Sequence, residues 1–271
     1  MPELPEVETT MRGILPHIKE QIILKIDVLD ERLRWPVSEE IQHIRNSPVV
    51  EITRRAKYIL IEVADQQHIM IHLGMSGSLR ICSADEPLRK HDHLVFHLST
   101  GLQMRYHDPR RFGSVLWQAA DIHQHPLLVK LGPEPLNDEF SIDYFIEKTK
   151  PRKTSIKQHI MDSHIVVGVG NIYACEALFM AGVQPTRMAS KVSKPRLIQL
   201  RNAIRFVLNR SIEQGGTTLK DFLNSDGQPG YFKQQLAVYD REGQACAKCK
   251  STVKRIVIGQ RSTFYCPKCQ K

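Results

Sequence analysis

No apolar stretch among the 271 residues approaches the run of about 20 that a membrane-spanning helix needs. The first residues, PELPEVE after Met1, lack the basic end and apolar centre of an export signal. Both absences predict a soluble, cytoplasmic protein. Internal repeats, heptads and low-complexity segments are missing too, which leaves a globular chain long enough for a sizeable core and for more than one domain. Acidic residues are in short supply: 29 Asp and Glu face 38 Lys and Arg, a formal net charge of +9. That imbalance points to a polyanionic partner, nucleic acid before membrane. Cysteine is scarce outside the tail, where Cys82 and Cys175 stand alone in apolar surroundings and read as buried free thiols. A disulfide framework is therefore excluded, and a reducing compartment fits.

What is present changes character once along the chain. Pro5 suits the first position of a helix whose apolar residues Val7, Met11 and Ile14 recur at helical spacing until Pro16 ends it. Residues 22–28, 57–63, 69–73, 94–98 and 102–106 alternate or run apolar between turns, which predicts a sandwich or barrel of short strands. A short serine-capped helix is predicted over 38–45. Near 132–135, GPEP marks a domain boundary. Beyond it the periodicity is helical over 140–149, 155–162, 171–181 and 194–214.

The sharpest local pattern is Cys246-x2-Cys249-x16-Cys266-x2-Cys269. Each pair offers two soft ligands from one tight turn, and the residues between read as a β-hairpin, so the pattern predicts a zinc ribbon. An iron–sulfur cluster is the rival, less suited to two symmetric knuckles around a hairpin. With all four cysteines used, the metal is structural. Eight basic residues against Asp240 and Glu242 make the stretch 240–271 a surface for phosphates.

GVGN at 168–171 lacks the third glycine and the strand–helix–strand setting of a dinucleotide fold. Backbone N–H groups and the Asn171 amide at a helix start, aimed at a phosphate, account for it better. His72, His91, His93, His97 and His107 form no tidy ligand set and read as strand and loop histidines. Met75 lies between Gly74 and Gly77, and Arg110 and Phe112 lie between Pro109 and Gly113. Apolar or planar side chains on such loop tips suit insertion into a base stack. At the other end, removal of Met1 would leave Pro2 as a secondary α-amine beside the Glu3 carboxylate. An α-amine titrates about two units below lysine, so more of it is nucleophilic near neutrality, and a neighbouring carboxylate can move protons.

PELPEVE (2–8) resembles the start of the formamidopyrimidine-DNA glycosylases, bacterial enzymes that excise oxidised purines. HLGMSGS (72–78), DPRRFG (108–113), GVGNIY (168–173), GGTTLKD (215–221) and the four-cysteine tail resemble further motifs of that family, in family order. The resemblance covers essentially the whole chain. It implies an α+β fold in three parts: an N-terminal β-sandwich domain with flanking helices over 1–131, a helix–two-turns–helix domain with a lesion-capping loop over 132–236, and a zinc ribbon over 237–271. It implies a bifunctional glycosylase and lyase, acting as a monomer on double-stranded DNA that contains oxidised bases or abasic sites. Pro2 would attack C1′, Glu3 would shuttle protons with Glu6 as a supporting acid, and Lys57 would bind phosphate and assist elimination. Arg261 would contact the backbone beside the lesion and assist the last elimination.

By the same resemblance His91 contacts a phosphate, and Arg152 stands where the family has a DNA-contacting lysine, different in type but equal in charge. Lys157 belongs to that basic face. Met75, Arg110 and Phe112 fill the hole left by an everted nucleotide, with Arg110 facing the orphaned base. One zinc ion is structural, and the chemistry itself calls for no metal or redox cofactor. Two alternatives stand beside this reading: an endonuclease VIII-like enzyme for oxidised pyrimidines, and a non-enzymatic zinc-ribbon DNA-binding protein. Leu4 and the Met/Arg/Phe triple favour the purine branch.

Overall fold

The computed structural model describes residues 2–119, 121–216 and 236–271, so the lesion-capping loop predicted over 215–232 lies outside the described residues from 217 onward. The described residues pack into two units: 2–129 with 214–216, and 130–213 with 236–271. Each is described by itself.

The first unit begins with helix α1 (Leu4–Ile18), followed by β1 (Ile22–Val28), the short helix α2 (Glu39–His43), β2 (Arg45–Arg55), β3 (Tyr58–Val63), β4 (Gln67–His72), β5 (Ser78–Ser83), β6 (Asp92–Leu98), β7 (Leu102–His107) and β8 (Ser114–Ala119). The strands hydrogen-bond in the order β5-β7-β6-β1-β2-β3-β4-β8, every pair antiparallel. β2 is the hinge of this arrangement. Its start pairs with β1 (Ile22↔Pro48, Lys25↔Arg45) and its remainder with β3 (Val49↔Val63 to Arg55↔Tyr58). The ladder thus folds over β2 into two layers, the β-sandwich of the first unit. Between them lies one apolar cluster that includes Ile23, Ile26, Ile59, Ile61, Ile69 and Phe96, each no more than 1% exposed. Their branched side chains fill the inward positions that strand alternation creates.

α1 packs on β2, β3 and β5. It runs past Pro16 to Ile18, where the sequence predicts a stop. Ile14 and Ile18 are 0% and 1% exposed, and burying this last turn offsets the hydrogen bond that proline cannot donate.

The second unit holds α3 (Ile142–Thr149), α4 (Ile156–Met161), α5 (Asn171–Met180), α6 (Lys194–Glu213) and the hairpin β9 (Lys254–Ile258) and β10 (Arg261–Tyr265). Ser141 and Ser155 cap α3 and α4 by accepting from Tyr144 N and Gln158 N. α5 is buried on nearly all sides, from Ile172 to Phe179, and packs against α4, α6 and β10. It is the core helix of this unit.

Candidate functional site

The N-terminal residues are held where α1 begins. Pro2 is buried, and Glu3 and Glu6 are 2% and 0% exposed. Glu3 caps the helix in a capping box with Glu6, whose Oε2 accepts from the Glu3 backbone N–H at 2.8 Å. The structure therefore gives Glu6, read from the resemblance as a supporting acid, the task of fixing the turn that carries Pro2 and Glu3.

Glu8 lies five residues beyond Glu3, about 7.5 Å along the axis, and ties α1 to the sheet. Its Oε2 accepts from Arg54 Nε at 2.7 Å, while its Oε1 accepts from Arg12. Burial alone would raise the Glu8 carboxyl, but the two guanidiniums outweigh it and hold its pKa below the ordinary value. Arg54 also donates to Ala56 O at 3.0 Å. Ala56 has a left-handed φ of +55° and stands beside Lys57 in the two-residue turn joining β2 and β3. Lys57 sits at that turn, half-buried. Its charge, after burial and together with Arg34, lowers the pKa of His72 to about 4. A neutral His72 can then accept the Gly74 N–H at its Nδ1, 3.0 Å away.

Met75, Arg110 and Phe112 lie on two loops of this same unit. Arg110 and Phe112 are exposed, Met75 half-buried, and the Arg110 guanidinium carbon stacks 5.2 Å from the Phe112 ring centre. The neighbouring Arg111 is engaged elsewhere, donating to the Asp30 carboxylate at 2.5 Å and to Arg32 O at 2.9 Å. Two adjacent arginines thus divide their work: Arg111 anchors the loop, and Arg110 projects from it. His91 is half-buried beside the His107 ring, 5.9 Å between centroids.

In the second unit the start of α5 and strand β10 of the hairpin meet through Lys157. Sequence reading put Lys157 on an exposed basic face, yet it is 1% exposed. Its Nζ donates to Asn171 Oδ1 at 2.5 Å and Thr263 Oγ1 at 2.6 Å. A lysine at the buried start of a helix next to a polar strand satisfies its charge locally, so it serves the frame rather than the surface. Asn171 in turn donates through Nδ2 to Ser262 O at 2.9 Å. Arg261, next to Ser262, is exposed and follows a tight turn in which Gly259 and Gln260 both have positive φ, 55° and 61°. Arg152 is exposed in the turn between α3 and α4.

The sulfurs of Cys246, Cys249, Cys266 and Cys269 all lie within 4.8 Å of one another. The Cys246–Cys269 and Cys249–Cys266 separations are 3.9 and 3.4 Å. A tetrahedral zinc thiolate site has sulfur edges of about 3.8 Å, whereas a disulfide would need about 2.05 Å. The cluster fits one zinc ion closed by four sulfurs, a structural site. Cys246 and Cys266 are fully buried among Val238, Val253 and Phe264. Glu176 of α5 binds the approach to the ribbon, its carboxylate accepting from Ala237, Val238 and Tyr239 N–H groups at 2.8 to 2.9 Å. The sequence reading passed over that buried acid, whose signal was a lone glutamate in the apolar helix α5.

Comparison with known proteins agrees along the whole chain. The formamidopyrimidine-DNA glycosylase N-terminal domain matches residues 1–115, the H2TH domain of the same enzymes residues 131–223, and a zinc finger found in FPG and IleRS residues 243–271. The formamidopyrimidine-DNA glycosylase of Alcanivorax borkumensis is 55% identical over 271 residues, covering 100% of both chains. That of Thioalkalivibrio sulfidiphilus is 53% identical, again with 100% of both chains covered. Among solved structures, the Thermus thermophilus MutM (Fpg) protein superposes with a TM-score of 0.90 at 35% identity, covering 99% of this chain and 98% of that one. A Lactococcus lactis Fpg variant bound to Fapy-dG-containing DNA gives 0.92 at 30% identity, with 100% of each chain covered. The chain belongs to the formamidopyrimidine-DNA glycosylase family.

Proposed function

We propose that this protein is a base-excision repair enzyme, a bifunctional DNA glycosylase that removes oxidised purines from duplex DNA and then cleaves the abasic strand. The observation that carries the reading is the N-terminus: Pro2 and Glu3 are buried at the first turn of α1, with Glu6 holding the Glu3 N–H. A helix start built so firmly around two terminal residues suits a fixed nucleophile and its proton carrier.

In the reaction, the Pro2 amine, freed by removal of Met1, attacks C1′ of the damaged nucleoside. The glycosidic bond breaks with its electron pair going to the base, which gains a proton, and Glu3 carries protons between amine, sugar and leaving group. The C1′–O4′ bond then opens, O4′ taking the electron pair and a proton, and the resulting iminium makes the 2′-proton acidic. Its loss expels the 3′-phosphate, and a second elimination expels the 5′-phosphate, leaving a one-nucleotide gap. Lys57 binds phosphate and assists proton transfer, and Arg261 assists the last elimination. His91, Arg152 and Asn171 hold the DNA backbone, while Met75, Arg110 and Phe112 occupy the space of the everted nucleotide. Lys157 acts by positioning Asn171 and β10. Cys246, Cys249, Cys266 and Cys269 would hold the zinc ion, which supplies folding energy to the ribbon rather than chemistry.

The test is cleavage of duplexes bearing 8-oxoguanine opposite cytosine or thymine glycol opposite adenine. Preference for 8-oxoguanine by at least about tenfold, the discrimination that one well-placed contact supplies, is the expected result. Preference for thymine glycol would move the protein to the pyrimidine branch.

A further inference from the structure

The loops carrying Met75 and the Arg110–Phe112 pair meet at the first residue of the DPRRFG motif, to which the chemistry above gives no role. Asp108 is 0% exposed. Its Oδ1 accepts from Ser76 Oγ at 2.7 Å and from the Arg110 backbone N–H at 3.3 Å. Its Oδ2 accepts from the Gly113 N–H at 2.9 Å and lies 3.4 Å from the Tyr106 hydroxyl. The backbone of Asp108 is held as well: its N–H donates to His91 O at 3.0 Å, and its carbonyl lies 2.8 Å from His93 Nε2. Ser76 Oγ also accepts from the Arg110 N–H at 3.2 Å, closing a ring between the loops. Ser76 and His93 are 3% and 2% exposed, so water does not compete for these bonds.

The two loops also touch backbone to backbone. Gly74 has φ +61°, and a side chain there would collide with Gly113 N and the Phe112 carbonyl carbon. One at Gly113 would collide with the Tyr106 hydroxyl and His72 O. Tyr106 is 0% exposed, and burial, then the Asp108 charge, pushes its phenol well above the usual range, so it remains a neutral donor.

We infer that Asp108, through Ser76 and the Gly113 and Arg110 amides, is a positioning residue that locks Met75, Arg110 and Phe112 into one preformed wedge and fixes His91 beside it. This rests on the reading that those three side chains fill the void left by the everted nucleotide. A wedge on two independent loops would have to be ordered anew at each encounter, and the loss would fall on the step that opens the stack. A single carboxylate that accepts from both loops removes that cost. Asparagine cannot replace it, because an amide has one acceptor atom and its NH2 would face the donors of one loop.

The test compares Ser76→Ala and Asp108→Asn with the parent on three probes: an 8-oxoguanine duplex, a single-stranded oligonucleotide with a preformed abasic site, and a duplex with 2-aminopurine opposite a tetrahydrofuran abasic analogue. The single strand has no stack to open and no orphaned base. Both variants should cut the 8-oxoguanine duplex about tenfold more slowly, the rate equivalent of one hydrogen bond to a charged group. They should narrow the preference between cytosine and adenine opposite the lesion, alter the 2-aminopurine fluorescence, and incise the single strand as the parent does. Ser76→Ala removes one hydroxyl and leaves the Gly113 and Tyr106 bonds in place, so it answers the question even where Asp108→Asn folds poorly. Equal losses on duplex and single strand, or no loss on either, would overturn the inference. Met75→Ala and Arg110→Ala are run alongside. If these leave the duplex reaction and the fluorescence unchanged, the void-filling reading itself fails. If they respond and Ser76→Ala does not, only the role of Asp108 fails.

Discussion

Arg54 shows how the start of α1 is tied to the turn that carries Lys57. Its guanidinium bridges Glu8 of α1 and the carbonyl of Ala56, next to Lys57, with Arg54 and Glu8 side chains only 11% and 12% exposed. Arg54→Met would leave a largely buried carboxylate with Arg12 alone, and should cost about 3 kcal/mol of stability, the lower end for breaking such a pair. The pH dependence follows from the lowered Glu8 value. A depressed acid contributes stability that is complete above its unfolded value, near 4.5, and is lost as pH falls through the lower folded value. Denaturant unfolding of Arg54→Met should therefore show a lower midpoint at pH 7 and a shallower decline below pH 4.5 than the parent. An unchanged midpoint at neutral pH would mean that the bridge contributes nothing. Arg110 and Arg111 make a related point. The two are the same residue type side by side, and the positions of Asp30 and the Arg32 carbonyl separate an anchor from a projecting side chain.

At the scale of elements, the strands that alternate cleanly or run apolar were legible, and β2, β5 and β8 were not. β2 has just two fully buried positions, Val49 and Ile52, because it turns from one layer to the other, so its sequence carries neither a run nor a period. β8 and β5 follow glycine-bearing loops, and their alternation is short. Lys157 read as surface because a lysine between turns usually is; the partners that bury it, Asn171 and Thr263, lie 14 and 106 residues away. The zinc ribbon was legible because metal ligation demands its spacing locally. Its role can be tested as an element. Cys249→Ser should lose stoichiometric zinc by metal analysis and bind lesion duplex at least about tenfold more weakly, since Arg261 and the neighbouring lysines depend on the folded hairpin. Full zinc content with unchanged binding would contradict this.

For the whole molecule, the net charge of +9 and the family membership converge on a DNA-repair enzyme, and the nucleophile proposed for it is the Pro2 amine at the buried start of α1. That reading has an unusually direct test, because the amine exists only once Met1 is removed and nothing else precedes Pro2. Placing one extra residue before Pro2 converts the amine to an amide with no nucleophilic lone pair and leaves the charges elsewhere in place. The extended protein should bind an 8-oxoguanine duplex with near-native affinity, release no base and give no adduct on borohydride reduction. Glu3→Gln keeps the amine, so it should still be trapped on a preformed abasic site while base release collapses. The decisive measurement is peptide mapping of the reduced adduct. The account predicts that the parent protein is linked through Pro2 and that the extended protein yields no adduct. An adduct formed by the extended protein on intact lesion DNA, and mapped to Lys57, would contradict it.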